Sequence, residues 1–392
     1  MAGVTLVTGG AGYVGTHTAK DILDNTQDKV VVLDSFERSD RQFIDALQKK
    51  YGDRLAVREA RLEDVDTVSE ILREEKVTDV VHCAAYIDIP ESRRPGGEDL
   101  YRRKILENGR NLIAAMKKSN VRRLVFSSTA ATYGHPQPDK LDDYGRITEK
   151  HPLNPSTIYG KWKRECEKVF EAAVENGVLD SFTDFRYFNV AGADAEGLIG
   201  EAHLPWEGHV LPLIILRALG ISDDFKIFGT KLGTRDGTPV RDLIHVSDIA
   251  KAHRMAIDKM RDGGITGVNA YNMGNVYPDK SMVGVTVREL VDMVRKLAPE
   301  YGLNPDFDVP ETKELRSKGE PEILCASSDK ICRELGWMPE YSLEDIVRTA
   351  IVWHKKLADM GWYAKHGIGN MPKKLPTDDL ADGLRPKDTL KN

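Results

Sequence analysis

Residues 4–15, Val4-Thr5-Leu6-Val7-Thr8-Gly9-Gly10-Ala11-Gly12-Tyr13-Val14-Gly15, decide how the chain folds. A β-prone run feeds directly into Gly9, Gly12 and Gly15, and an amphipathic pattern follows over 13–24. Glycines between a strand and a helix allow a tight turn and close backbone approach to a bound group. The helix N-terminus offers unpaired N–H groups and positive potential to an anion. The second β-rich run, 29–34, closes on Asp34, 19 residues beyond Gly15. A carboxylate there accepts hydrogen bonds from an adenosine ribose and repels a 2′-phosphate. The spacing therefore predicts a dinucleotide site that takes NAD rather than NADP.

Outward from this turn, β-rich runs at 4–9, 29–34, 54–59, 79–84 and 122–128 alternate with helical patterns near 13–24, 63–75, 98–118 and 156–176. Strands separated by helices of this length imply right-handed crossovers and a parallel sheet, and apolar strand runs suit a sheet covered on both faces. The expected class is α/β: a Rossmann-type doubly wound parallel sheet with a smaller C-terminal α/β substrate lobe. Residues 1–180 form the dinucleotide-binding part, with later segments returning to it, and 181–355 form the lobe. The segment 183–192 reads as a strand entering a loop, and a helix begins near Val210. The lobe otherwise reads as Gly- and Pro-rich with short elements up to about 345. Residues 356–392 read as a polar tail, in which Trp362 and Tyr363 are the side chains able to anchor it to the body or to a partner subunit.

Composition bounds the function. The chain has 392 residues, 56 Lys plus Arg against 62 Asp plus Glu, and a net charge of −6. An acidic balance argues against a general binder of nucleic acid or anionic membrane. No run of 18 apolar residues predicts a membrane span, and the N-terminus lacks the basic start and apolar stretch of a signal peptide. Cys83, Cys166, Cys325 and Cys332 form no CxxC pair, which suits a reduced, cytoplasmic protein. No metal site is expected.

The fifth strand run leads into Ser127-Ser128-Thr129-Ala130-Ala131-Thr132-Tyr133-Gly134, where strand C-terminal ends face the ligand crevice. Thirty residues beyond Thr129 comes Tyr159-Gly160-Lys161-Trp162-Lys163, behind a helix start marked by Pro155 and Ser156. Tyr159 and Lys163 are four apart and share a helix face. An ammonium near a phenol stabilises the phenolate and lowers its pKa from about 10. Such a phenol takes a proton from an alcohol at neutral pH while a nicotinamide takes the hydride. A surface Tyr–Lys pair has the same spacing; the preceding strand end and the dinucleotide turn favour catalysis.

With these motifs the chain resembles the extended short-chain dehydrogenase/reductase family, and within it the nucleotide-sugar 4-epimerases. The matching runs are VTGGAGYVGTHT (7–18), FSSTAATYG (126–134), YGKWK (159–163), FRYFNVAGA (185–193), FGT…DGTPVRDLIHVSDIA (228–250) and SSDKICRELGW (327–337), within about residues 3–355. The resemblance implies interconversion of UDP-glucose and UDP-galactose through a 4-keto sugar, with NAD as cofactor. It implies Thr129, Tyr159 and Lys163 as catalytic residues. It implies cofactor contacts from Gly9, Gly12, Tyr13, Val14, Gly15, Asp34, Ser35, Leu62, Ala84, Ala85, Ser127, Tyr159, Lys163 and Tyr187. Substrate contacts would come from Thr129, Tyr159, Asn189, His209, Val210, Arg241 and Glu320. A homodimer joined through helices at about 98–118 and 155–176 is also implied.

Ala130-Ala131 replaces the acid that related dehydratases and decarboxylases carry after this Thr, which favours plain epimerisation. Other positions depart from the family: Arg61 near the adenine side, Ile87 in place of a Lys that meets the pyrophosphate, Ile105 where an Asn usually sits, and Ser317 for a frequent substrate Arg. The arginines of 92–103 could stand in for that Lys, and Arg61 could stack on adenine. Leu324 lies near a position where a large aromatic limits bulk at the sugar's C2, so N-acetyl sugars come into play. Two alternatives stay open: epimerisation of another nucleotide sugar (UDP-GlcNAc/GalNAc, a UDP-uronate or a UDP-pentose), and a non-catalytic NAD sensor.

Overall fold

The computed structural model describes residues 2–205, 207–277, 283–315 and 321–369. Seven parallel strands form the central sheet: β1 (Val4–Thr8), β2 (Lys29–Asp34), β3 (Leu55–Glu59), β4 (Asp79–His82), β5 (Arg123–Thr129), β6 (Ser181–Tyr187) and β7 (Gly267–Met273), in spatial order β3-β2-β1-β4-β5-β6-β7. Strand side chains alternate between faces, and both faces are buried here. Val7, Val30, Val32, Val81, Val125 and Phe185 fill one core. Leu6, Val31, Leu33, Val80, Leu124, Phe126 and Phe182 fill the other. Helices Tyr13–Asn25 and Val246–Arg261 cover the first face; Val65–Glu74, Asn108–Ser119 and Ile158–Glu175 cover the second.

The strand order reverses between β1 and β4, which opens a crevice at their C-terminal ends. Register aligns those ends: Thr8 pairs with Leu33 and His82, and Thr129 pairs with Tyr187. The glycine turn, the segment after β4 and the end of β5 therefore border one groove.

A separate core holds the lobe, built on helices Val210–Ala218, Val287–Leu297 and Leu343–Asp359. The expectation of only short elements up to 345 is corrected. Val246–Arg261 has 16 residues, Val287–Leu297 has 11 and Leu343–Asp359 has 17. Two of them open on capping boxes, Thr286 with Glu289 and Ser342 with Asp345. Helix Arg41–Tyr51, also not anticipated, is capped by Asp40. The pattern at 98–118 is a helix interrupted by a π-helical stretch over Arg102–Glu107.

The expectation of a polar tail from 356 is corrected over residues 356–369. Residues 356–359 complete Leu343–Asp359, and Trp362–Lys365 forms a further turn whose Trp362 and Tyr363 are buried. Burying two aromatics outweighs the polar character of their neighbours. The rest of that tail lies outside the described residues. Among the described residues no helix is long and apolar enough to cross a membrane.

Candidate active site

The glycine turn divides its labour. Gly9 has φ +65°, and a Cβ there would lie 2.6 Å from the Ala84 backbone nitrogen. A Cβ on Gly15 would lie 2.3 Å from the Gly9 carbonyl oxygen. These two glycines let the turn pack on β4 and on its own helix. Gly12 differs: its Cβ would meet only the Gly9 oxygen, at 3.2 Å. Gly12 also begins the helix Tyr13–Asn25 without a side-chain cap. The N–H groups of that first turn are left for an anion. Asp34 ends β2, and its carboxylate accepts from Ala11 N (3.0 Å), Phe36 N (2.9 Å) and Ser39 Oγ (3.0 Å). Burial raises its pKa, and the backbone donors of Phe36 and Ala11 pull it back. The open Gly12 face, the uncapped helix and the carboxylate at the end of β2 fit a dinucleotide. Ser35 follows Asp34, Leu62 is buried, and Ala84 and Ala85 border the turn half-buried.

β5 and the helix Ile158–Glu175 bring Thr129, Tyr159 and Lys163 together. The Thr129 hydroxyl is in hydrogen-bond contact with the Tyr159 phenol and also accepts from Ala131 N at 3.1 Å. Lys163 Nζ donates to the Ser127 carbonyl at 2.7 Å and sits 5.9 Å from the Tyr159 ring centre. Burial pushes the Tyr159 phenol above its ordinary range, with the Thr129 contact acting the other way. The expected depression of this phenol by Lys163 is thus corrected: desolvation dominates in the bare protein. Burial also pushes the Lys163 ammonium down to about 8.

Beneath these side chains lies a polar layer in which two expected cofactor contacts, Ser127 and Tyr187, join residues that sequence reasoning missed. Tyr187 OH donates to Ser127 Oγ at 2.9 Å and lies 2.6 Å from His253 Nε2. Ser127 Oγ in turn donates to Cys83 Sγ at 3.0 Å. On the other side of β5, Ser128 Oγ donates to Glu167 Oε1 at 2.6 Å, and Glu167 pairs with Arg186 at 3.0 Å. Arg186 also meets Asp184 at 3.0 Å. The available signal was Glu167 four residues past Lys163 on the same helix face, with Asp184 and Arg186 inside the buried strand β6. His253 gave none, since its partner is distant in sequence.

The lobe supplies the remaining candidates. Asn189 Nδ2 donates to the Asp242 carbonyl at 3.1 Å. The Arg241 guanidinium is half-buried and donates to Val240 O (2.9 Å) and Pro321 O (3.0 Å). His209 precedes the helix that Val210 opens, and its Nδ1 meets Glu201. Tyr13 OH donates to Gly192 O at 2.5 Å, tying the glycine-turn helix to the lobe. Glu320 lies outside the described residues, as does Ser317.

The basic run near the crevice is spent on neighbouring acids. Arg102 pairs with Asp99 and Glu107, Arg103 with Asp99, and Lys104 with Glu37 and Glu63. Arg61 pairs with Glu37, which also accepts from Tyr86 OH at 2.7 Å. Ile105 is buried in the core and Ile87 is exposed.

Comparison with known proteins agrees with this geometry. The family model described as the NAD dependent epimerase/dehydratase family matches residues 5–274. A UDP-glucose 4-epimerase of Lactobacillus helveticus is 38% identical over 352 residues, covering 89% of this chain and 96% of that protein. One from Rhizobium leguminosarum bv. trifolii is 38% identical over 357 residues, covering 91% and 99%. The crystal structure of the Stenotrophomonas maltophila UDP-glucose 4-epimerase, with bound NAD and formylated UDP-arabinopyranose, superposes with TM-score 0.80 at 28% identity, covering 92% of this chain and 100% of that one. With the glycine turn, the parallel sheet and the Thr–Tyr–Lys cluster all in place, the chain belongs to the NAD dependent epimerase/dehydratase family.

Proposed function

We propose that this protein is an NAD-dependent 4-epimerase that interconverts UDP-glucose and UDP-galactose. One observation carries the reading: Thr129, Tyr159 and Lys163 converge at the C-terminal end of β5, on the same sheet edge as the glycine turn with β4 between them, with two alanines where an eliminating relative needs an acid. Gly12, the first turn at Tyr13, Val14 and Gly15, and Asp34 would hold the dinucleotide. When bound, NAD supplies a cationic ring near the phenol and a reversible hydride acceptor for the sugar's C4.

Tyr159 removes the C4 hydroxyl proton and later returns one to the same oxygen. Thr129 holds that oxygen through its hydroxyl, and Lys163 adds positive charge beside the phenol. Ala130 and Ala131 offer no second acid or base, so the keto sugar has no route to water loss and is reduced on its opposite face after turning over. Arg241 and Asn189 would hold the nucleotide end of the substrate, the guanidinium against phosphate oxygens. Glu320 stays the proposed uridine-ribose contact on sequence grounds.

A second reading, epimerisation of another UDP-sugar, is favoured by Leu324, which stands opposite Arg241 in register, packs against the cluster of Ala130, Tyr133 and Ile147 and is smaller than an aromatic. The S. maltophila relative, solved with a formylated pentose, adds weight to it. Incubating the protein with a panel of UDP-hexoses, N-acetylhexosamines, uronates and pentoses, with C4 epimers read by NMR, separates the readings. Brisk UDP-glucose turnover with none on UDP-GlcNAc removes the second; no turnover on any of them removes both.

A homodimer through the helices Asn108–Ser119 and Ile158–Glu175 is part of the proposal. It is supported by partly exposed Ile113, Ile158, Trp162 and Val169 on these two neighbouring helices. Light scattering is expected to give twice the chain mass of 43.8 kDa.

A further inference from the structure

Between the glycine-turn helix and the lobe, four side chains from a single short segment face one another. Glu201, His203, Glu207 and His209 each present one ligating atom, and all four atoms lie within 4.8 Å of one another. His203 Nδ1 is 3.2 Å from Glu201 Oε1 and 3.6 Å from Glu207 Oε1. His209 Nδ1 is 3.7 Å from Glu207 Oε1 and in hydrogen-bond contact with Glu201 Oε1. Bonds of about 2.0–2.2 Å at tetrahedral angles set ligand atoms about 3.4 Å apart, close to three of these separations, and the hydrogen bond between His209 and Glu201 opens to admit the ion.

We propose that Glu201, His203, Glu207 and His209 form a structural site for one divalent transition-metal ion of the zinc class. Charge is compatible with the same reading. The carboxylates of Glu201 and Glu207 are only 3% and 4% exposed, and two carboxylates withdrawn from water require compensating positive charge. Among the described residues their ion-pair partners are His203 and His209 alone. Two protonated imidazoles, or one divalent cation on two neutral imidazoles, would each balance that charge, so charge permits the ion and the convergence of the four ligating atoms argues for it. The donor set is two nitrogens and two oxygens, which suits zinc and its neighbours and not the all-oxygen demands of calcium or magnesium.

The ligands are braced from outside. Trp353 Nε1 donates to the Glu201 carbonyl at 2.7 Å, and Glu207 Oε1 accepts from the backbone N–H groups of Gly208 and His209 at 2.9 Å each. The Tyr13 ring meets His203 edge-on with centres 6.3 Å apart. Four protein ligands close the coordination sphere, so the ion takes no part in the reaction. It pins the segment that enters the helix at Val210 against the residue that opens the glycine-turn helix. His209 then serves the metal and not the uridine.

The test uses the untagged full-length chain, stripped with chelator and titrated with zinc chloride alone. Wild type is expected to retain one zinc per chain after gel filtration and to gain several degrees in melting temperature. Cobalt(II) loading is expected to give the intense visible absorption of a four-coordinate ion. His203→Asn and Glu207→Gln, checked for folding by circular dichroism and for NAD binding, are expected to lose the zinc. Failure of wild type to take up zinc, a weak six-coordinate cobalt spectrum, or undiminished zinc in both variants would each overturn the site.

Discussion

Tyr159 and Lys163 are both buried against their charged forms: desolvation raises the phenol and lowers the ammonium. Burial thus opposes the phenolate and the ammonium alike, and positive charge placed beside the Tyr159 phenol works against that penalty. Tyr159→Phe is expected to lose about 10³-fold or more in turnover, the scale of a lost general base, while binding NAD as before. Near-wild-type turnover in that variant would refute the assignment. Lys163 gives a test that does not depend on substrate. Its folded pKa of about 8 lies below the ordinary 10.5. Below about pH 8 both folded and unfolded states hold the proton, and the native state bears the cost of a buried cation. Between about 8 and 10.5 the unfolded state binds more protons, so this contribution to stability rises with pH. Lys163→Met is thus expected to be inactive yet at least as stable as wild type at pH 7. Its advantage should shrink towards pH 10; melting curves that fall in parallel over that range contradict the buried cation.

At the scale of elements, the turn between β1 and its helix separates folding from binding. Gly15→Ala forces a Cβ against backbone at 2.3 Å, with no flexible side chain to yield. A loss of about 2 kcal/mol or more is expected. Gly12→Ala meets one backbone oxygen at 3.2 Å. It is expected to melt within a few degrees of wild type but to bind NAD at least tenfold more weakly, because its methyl occupies the side left open to phosphate. Thermal melts and NAD titration on the two variants check this split. This turn, Asp34 and the Tyr–Lys spacing were legible because each is local: strand, turn and helix stand next to one another in the chain. The helices Val246–Arg261, Val287–Leu297 and Leu343–Asp359 carried equally local signs, the last two opening on capping boxes, yet surrounding glycines and prolines masked their periodicity. The layer of Ser127, Tyr187 and His253 was not legible, since it exists only after β5, β6 and a helix some 60 residues further on come together.

For the whole molecule, the parallel order of β1 to β6 followed from alternating strands and helices, but the seventh strand, Gly267–Met273, did not. It pairs with β6 along its full length after the chain has left the sheet for the lobe and returned. The C-terminal segment shows the same kind of long-range closure. Trp362 is 3% exposed, lies tilted against Phe43 with ring centres 6.4 Å apart, and donates from Nε1 to Asp40 Oδ2 at 3.1 Å. Asp40 meanwhile caps the helix Arg41–Tyr51, just beyond the loop that Asp34 holds through Phe36 and Ser39. The segment around Trp362 therefore braces the Asp34 side of the crevice from behind. Trp362→Ala removes the ring and leaves a cavity, so a loss of about 3–5 kcal/mol is expected. Trp362→Phe keeps most of the apolar contact and gives up the hydrogen bond to Asp40, at a cost of about 1–2 kcal/mol. Denaturant unfolding of both variants reads the difference. Equal losses would shift the weight from packing to the hydrogen bond, and no loss in either would mean that residues 361–369 lie on the body without stabilising it.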